Sequence, residues 1–431
     1  MKIGVIGTWY VWLIQAVWMA KLWFKVIAVD ISKEKINKLK NWNPVIYEDW
    51  LAQLLKETLS NIEFTTDISK LKWTDVIFVC VWTPQDEIWK TDLKYIETVA
   101  KDLKKILNWE EIVVIKSTVP VWTNKKVYNL LWRKNPVVSN PEFLREGFAI
   151  YDFFNPDRIV LWFKKWERQE VIDKMKKIYN FFEDKGIEII ITDWQTAELI
   201  KYTANSFLAT KISFINEIAR LADKVGANVK TIAKAIWLDS RIWKKFLNAW
   251  IWYWWSCFPK DVKSLIHQFK DNWLTAEIIS SVDRVNETQV DYFLNKILDK
   301  YKGNVKGKVF GVLWVAFKPN TDDLRESRGI LIIKKLIDKW AKMKVFDYNS
   351  KALENFKKQF DKLMNNVIIA NNFDDLVDDI DALIITIEDK RILNEDFSKL
   401  NLKDNIIFDW RNLFDRDQIK QLWFEYIWVW Y

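Results

Sequence analysis

One of the two cysteines in this 431-residue chain has the company a nucleophile needs: Ser256-Cys257-Phe258-Pro259-Lys260-Asp261. Nearby cations favour the thiolate, so Cys257 beside Lys260 could form a covalent bond to a substrate; the other reading is a buried structural cysteine. Lys201 and Asn205 lie four residues apart in Glu198-Leu-Ile-Lys201-Tyr-Thr-Ala-Asn205, which puts both on one helix face with Leu208. Such a pair could hold an oxyanion, or form a solvated edge. Asn140-Pro141-Glu142-Phe143-Leu144-Arg145-Glu146-Gly147 sets two carboxylates four apart after a strand, as acid/base groups or as charges at a helix N-terminus. Lys318 and Arg325, either side of Thr321-Asp322-Asp323, are natural phosphate partners. Cys80 follows apolar Ile77-Phe78-Val79 and reads as core, and the one histidine, His267, reads as a surface or packing residue. Chemistry here must rest on Cys, Lys, Asp, Glu, Asn and Thr.

The elements that would position these groups begin at the N-terminus. Lys2-Ile3-Gly4-Val5-Ile6 reads as a strand and runs into Gly7-Thr8-Trp9-Tyr10-Val11-Trp12, which opens a helix. With Trp9 and Trp12 read as glycine this is a Gly-x-Gly-x-x-Gly turn, whose backbone lets a pyrophosphate approach the helix N-terminus. Eighteen residues on, Val26-Ile-Ala-Val29-Asp30 ends a second strand on an acid. A carboxylate there accepts hydrogen bonds from an adenosine ribose diol and repels a 2′-phosphate, which favours NAD over NADP, with nearby Lys33 acting the other way.

The chain has 28 Trp and only 9 Gly, against ordinary glycine usage of about 7%. Tryptophan stands where the backbone asks for glycine in Val81-Trp82-Thr83-Pro84, in Trp252-Tyr253-Trp254-Trp255-Ser256 and in Leu313-Trp314-Val315-Ala316. Most of these tryptophans are read as glycines, a UGA codon that specifies glycine having been decoded as tryptophan. A side chain at a left-handed position costs roughly 1–2 kcal/mol, and many such sites together rival the stability of a domain. The other reading is a chain of many genuine tryptophans. At Trp73, Trp109, Trp166 and Trp194 glycine is plausible but not demanded; UGG codons at Trp9, Trp12, Trp254 and Trp255 would refute the idea.

A net charge of +8 with interleaved Lys and Asp/Glu describes a solvated surface suited to a phosphate-bearing substrate. No dense basic block points to nucleic acid, and two scattered cysteines make neither a disulfide framework nor a metal cluster. There is no signal peptide and no apolar run of about 18 residues, so the expectation is a cytoplasmic protein without a membrane partner. Short β-branched runs at 2–6, 25–29, 75–81, 111–115, 136–139, 158–162 and 187–191 alternate with helical stretches, the mark of a parallel sheet. Strand signals stop at Thr196, and 196–225 keeps helical spacing far beyond an average helix, with an apolar excess that suggests a subunit interface. Strand runs resume at 308–313, 343–347, 366–369, 382–385 and 405–408. The fold class is therefore α/β: two Rossmann-like doubly wound parallel-sheet domains, 1–195 and 303–431, joined by a central helical region, 196–302.

Together these motifs resemble the UDP-glucose 6-dehydrogenases, within the nucleotide-sugar dehydrogenase superfamily, essentially end to end. The resemblance includes Pro44-Val-Ile-Tyr47-Glu48, Lys116-Ser117-Thr118-Val119-Pro120, Asn140 to Gly147, Lys201 to Glu217, Trp252 to Asp261, Ala316 to Ser327 and Asp409-Trp410-Arg411-Asn412. Each motif that holds a tryptophan fits better with glycine there. Around the cysteine, the GDP-mannose and UDP-N-acetylmannosamine branches carry other residues. The resemblance implies oxidation of UDP-glucose to UDP-glucuronate, a precursor for polysaccharide biosynthesis, with two NAD and one water through a Cys257 thiohemiacetal and thioester. It makes Lys201 and Asn205 the oxyanion holders, Asp261 and Thr118 the water-positioning groups and Glu142 the general acid/base. Gly7, Trp9, Tyr10, Val11, Trp12, Asp30, Thr83, Thr118, Glu146 and Arg325 would border NAD. Phe143, Leu144, Arg145, Glu146, Lys201, Asn205, Tyr253, Trp254, Lys260, Phe317 and Lys318 would meet the UDP-sugar, with Arg241 reaching a substrate at a homodimer interface. Alternatives are a relative acting on another nucleotide sugar, a non-catalytic NAD-binding protein if the tryptophans are genuine, and a structural or interaction protein using exposed Trp.

Overall fold

Runs of β-branched residues, apolar on both faces, build the centres of two sheets. The structure, a computed structural model, describes residues 1–431 except 8–9, 47, 49, 146, 165–166, 250–252, 254–256, 320 and 429–431; the side chains at 10, 257, 416 and 417 also fall outside it. The expectations for Trp9, Glu146 and Trp254, and for the side chains of Tyr10 and Cys257, therefore lie outside the described residues. The chain divides into two units, Met1–Ala204 with Lys263–Thr275, and Asn205–Val262 with Ala276–Tyr431.

In the first unit the strands are β1 (Lys2–Ile6), β2 (Lys25–Val29), β3 (Ile62–Thr65), β4 (Val76–Val79), β5 (Ile112–Ile115), β6 (Val137–Ser139), β7 (Ile159–Trp162) and β8 (Ile189–Thr192). They form one sheet in the order β3-β2-β1-β4-β5-β6-β7-β8. Every residue of β4 and β5 is buried, because helices cover both faces of such a sheet. Ile3 and Val5 pack with Leu13 and Val17 on one side, and Ile6, Ile77 and Val79 with Ile96 and Leu103 on the other. The sheet departs from an all-parallel one at β6 and β7, which run antiparallel and share a single register pair, Ser139 with Trp162.

The second unit holds β9 (Val309–Leu313), β10 (Lys342–Phe346), β11 (Val367–Ile369), β12 (Ala382–Ile385), β13 (Ile406–Asp409) and β14 (Glu425–Trp428), in the order β11-β10-β9-β12-β13-β14. All of its pairings are parallel. Chain order reverses beside β1 in one sheet and beside β9 in the other, the places where open α/β sheets bind ligands. Two strands escaped the sequence reading, β3 and β14, and each is a sheet edge. Edge strands need not be apolar on both faces, so Glu63 and Glu425 stand exposed in them and interrupt the apolar run. The long helical stretch forms one helix, Trp194–Val225, of 32 residues. Among the described residues no helix is long and apolar enough to cross a membrane.

The backbone also speaks to the tryptophans. Of the twenty described non-glycine residues with positive φ, thirteen are Trp, although only a few per cent of non-glycine residues adopt such angles. Trp23, Trp42, Trp132, Trp273 and Trp423 each lie two residues past a helix end, with φ between 56° and 67°. At the first four, the N–H donates three residues back and the next N–H five residues back, as in Phe24 to Met19 and Leu274 to Phe269. That is the helix stop in which glycine normally takes the left-handed place. Gly186, with Ile187 donating to Phe182, fills the same slot after the helix Gln169–Glu183. Trp73 and Trp109, where the sequence made glycine only plausible, have φ of 67° and 79°. Inside the molecule, the indole N–H groups of Trp18, Trp194, Trp314 and Trp410 are buried with no hydrogen-bond partner among the described residues, an arrangement that buried tryptophans usually avoid.

Candidate active site

The first unit carries the turn after β1. Gly7 has φ +125°, and a Cβ there would lie 2.5 Å from the Cys80 carbonyl oxygen, so this position admits glycine alone. Its N–H donates to Val29 O at 3.1 Å, which ties the turn to the end of β2. Asp30 follows β2 and is buried; its Oδ1 accepts from Ser32 N at 2.6 Å, and burial raises its pKa. A close backbone approach and an acid at neighbouring strand ends suit a dinucleotide. Val11 is half-buried in the first turn of the helix Tyr10–Lys21. Trp12 does not fit a cofactor cradle: it is fully buried between helix and sheet, and its Nε1 donates to Val5 O at 3.0 Å. Beyond β4 and β5, the Thr83 hydroxyl donates to Thr118 O at 2.9 Å, joining two of the expected cofactor residues.

The same unit holds Glu142 and Lys201. Both are buried, with Lys201 Nζ 3.4 Å from Glu142 Oε1, while Glu142 Oε2 accepts from Leu144 N at 2.6 Å. Phe143 lies between cations, the Arg158 guanidinium 3.6 Å and Lys201 Nζ 5.2 Å from its ring centre. Arg145 is held by Asp152 through backbone and guanidinium. Leu144 is half-buried.

In the second unit, Asn205 Nδ2 donates to Asp261 Oδ2 at 2.6 Å and Lys260 Nζ to Asp261 Oδ1 at 2.7 Å. Asp261 is completely buried, so its charge rests on these two donors. Positions 257 and 261 stand one turn apart at the start of the helix Cys257–Asp271. Tyr253 is fully buried, with its N–H donating to Asn286 Oδ1 and its hydroxyl to Asp283 Oδ1. Phe317 and Lys318 are buried after β9, the Lys318 ammonium 5.2 Å from the Phe317 ring. Two expected ligand residues carry intrachain pairs: exposed Arg325 is clasped by Asp323, and exposed Arg241 by Asp239.

Several buried polar residues received no role from the sequence. Lys116 is buried against Asn140, and Glu48 accepts from the backbone of Gly147 and Ala149 behind the loop that carries Glu142. Glu198 accepts from Trp122 N, Asn124 N and Asn124 Nδ2, each at 2.7 Å, at the start of the helix Thr123–Leu130. The signal for Lys116 was present: a charge ending the fully apolar run Ile112-Val-Val-Ile115. Among the described residues no cluster of His, Cys, Asp and Glu could hold a metal ion.

Three models of the UDP-glucose/GDP-mannose dehydrogenase family match the chain in order: its NAD binding domain over residues 1–183, its central domain over 195–288 and its UDP binding domain over 311–416. The UDP-glucose 6-dehydrogenase of Rickettsia bellii is 38% identical over 99% of this chain and 98% of its own length. UDP-glucose 6-dehydrogenase TuaD of Bacillus subtilis is 36% identical over 97% and 91%. The solved structure of a UDP-glucose dehydrogenase from the archaeon Pyrobaculum islandicum superposes with a TM-score of 0.89 at 31% identity, covering 100% of this chain and 98% of that one. With Gly7 in the turn after β1, its acid at the end of β2 and its two α/β sheets, the chain belongs to the UDP-glucose/GDP-mannose dehydrogenase family and is an NAD-dependent nucleotide-sugar dehydrogenase.

Proposed function

We propose that the chain is a UDP-glucose 6-dehydrogenase that converts UDP-glucose, two NAD and one water to UDP-glucuronate and two NADH, with release of protons. The observation that carries this reading is buried Asp261, held by buried Asn205 and half-buried Lys260 one helix turn from position 257; full-length relatives at 36–38% identity support it. Gly7, Asp30, Thr83 and Thr118 would hold NAD, which when bound would supply the hydride acceptor for both oxidations. Glu142 takes the proton of the C6 hydroxyl as that carbon loses its first hydride and becomes an aldehyde. The Cys257 thiolate then adds to the aldehyde carbon. The oxyanion so formed is met by Lys201 and Asn205 and gains a proton as a thiohemiacetal. Loss of that hydroxyl proton, returned to Glu142, together with a second hydride leaves a thioester. Asp261 and Thr118 direct water onto it, releasing the acid and returning the thiol. A cysteine suits the task because its adduct keeps the C–H bond that must be broken next.

Glycine at most of the tryptophan positions belongs to the same reading, decoded from UGA. Left-handed φ at thirteen tryptophans and four unpartnered buried indoles support it. Trp12 in particular fills the space that the third glycine of the turn leaves for close helix–strand packing. The boundaries 1–195, 196–302 and 303–431 remain our division into NAD-binding, central and UDP-sugar-binding parts. A homodimer is supported by exposed Phe207, Phe214 and Leu221, which repeat every seven residues along the long helix.

The test is NADH formed per UDP-glucose consumed by the chain with glycine at the tryptophan positions. Two per sugar is expected. One would refute the cysteine half of the reaction, and none, with NAD still bound, would direct the assignment to another nucleotide sugar.

A further inference from the structure

We propose that Lys116 is a positioning residue for the reaction: its buried ammonium grips Asn140 and so sets the Asn140-Pro141-Glu142 turn that holds Glu142 against Lys201. The inference rests on the acid/base role given to Glu142 above. Lys116 follows β5, and its N–H donates to Val79 O at 3.0 Å. Its side chain is 5% exposed, with Nζ 3.0 Å from Asn140 Oδ1. An ammonium buried at a strand end is costly, and an apolar residue would fill the space without that cost. What the lysine adds is a grip on one amide.

That amide is held from both sides. Asn140 N donates to Ile115 O at 2.9 Å, its Nδ2 donates to Val160 O at 2.9 Å, and its Oδ1 accepts from both Lys116 Nζ and the Tyr179 hydroxyl. These bonds join β5, β6, β7 and the helix Gln169–Glu183 at the one place where the sheet is weakest, since β6 and β7 share only the Ser139–Trp162 pair. The Asn140 side chain substitutes for the missing ladder, and two residues later the chain presents Glu142 to Lys201 at 3.4 Å.

The groups that face Lys116 are Cys80 after β4, Glu142 after β6 and Lys201 on the long helix, with Tyr179 on the far side of Asn140. Burial pushes the Lys116 ammonium down to about 8, the Cys80 thiol up to about 12 and the Tyr179 hydroxyl well above its usual value. Lys116 therefore changes charge near the working pH of an enzyme. Its neutral form can still donate to Asn140, but no longer as a cation.

The experiment uses the full chain in its glycine form with Lys116→Met, Lys116→Arg and Tyr179→Phe. In Lys116→Met, kcat should fall roughly 10- to 100-fold at pH 7 while the Kd for NAD stays within about twofold. The ratio of parent to variant kcat should shrink as pH rises through about 8, which a merely structural role would not produce. Lys116→Arg keeps a charge that does not titrate, so its kcat should rise relative to the parent's over the same range. Tyr179→Phe, which removes the uncharged bond to the same oxygen, should leave that pH dependence intact. A parent-to-Met ratio that is constant with pH would overturn the proposal. Crystal structures of the parent and Lys116→Met separate this inference from the assignment of substrate: widening of the Lys201–Glu142 contact beyond 4 Å supports it, and an unchanged contact refutes it whichever sugar is oxidised.

Discussion

The left-handed helix stops give a stability prediction that needs no substrate. Trp23 and Trp273 end separate helices in the first unit, with φ of 65° and 59°, and are 86% and 97% exposed, so neither side chain contributes much packing. A non-glycine residue there carries roughly 1–2 kcal/mol of strain, while glycine returns part of that by freeing the unfolded chain. The net gain from Trp→Gly should be about 1 kcal/mol per site, and the two sites should add because they share no partners. For a unit of this size about 2 kcal/mol raises Tm by roughly 4–8 °C. Calorimetry on the double Trp→Gly variant measures it, with Trp→Ala at both sites as the control. Alanine removes the indole but keeps the Cβ, so its Tm should stay near that of the parent. Equal gains from alanine and glycine would show that the indoles, not the backbone, are the liability, and the strain argument would fail.

Other predictions follow from the buried polar groups. Burial pushes the Glu198 carboxyl from its ordinary 4.5 up to about 7 despite its hydrogen bonds. Its raised folded pKa gives a stabilising contribution that is present below about pH 4.5 and lost as pH rises through about 7, roughly 3 kcal/mol in all. Glu198→Gln, which keeps an acceptor for the Asn124 N–H, should flatten that stretch of a Tm-against-pH curve; an unchanged slope would contradict it. Asn205→Ala removes a donor from fully buried Asp261 and should lower kcat about 10²-fold, with NAD affinity, measured by calorimetric titration, little altered. Trp9→Gly with Trp12→Gly should tighten NAD binding at least about tenfold by reopening the turn; equal affinity in both forms would refute glycine at those sites.

What could be read from the sequence was what is local. The turn at Gly7 and the acid at Asp30 announce themselves because strand, glycine, helix and acid follow one another within thirty residues. The long helix was legible for the same reason, since 196–225 repeats one period without a breaker. Contacts between distant segments were not. Asn205 and Asp261 are 56 residues apart, Lys116 and Asn140 are 24 apart, and nothing in their spacing records that burial leaves each the other's partner. The β6–β7 reversal was invisible because a short apolar strand looks alike in either direction. The edge strands β3 and β14 were missed because exposed acids interrupt them.

The helix stops also bear on how the protein should be produced and on how its gene can be read. On the proposed glycine reading, a host with the ordinary code would stop at each UGA, and one that suppresses UGA with tryptophan would make a chain strained at Trp23, Trp42, Trp132, Trp273 and Trp423 at once. Poor yield from such a host would then report on its tRNAs rather than on the protein. On the same reading, a left-handed tryptophan marks a codon that means glycine. Gly186, Gly226 and Gly303 share that backbone region with the five tryptophans, so stereochemistry singles those five out for the codon test, while on others, such as exposed Trp82 with no positive φ, the backbone is silent.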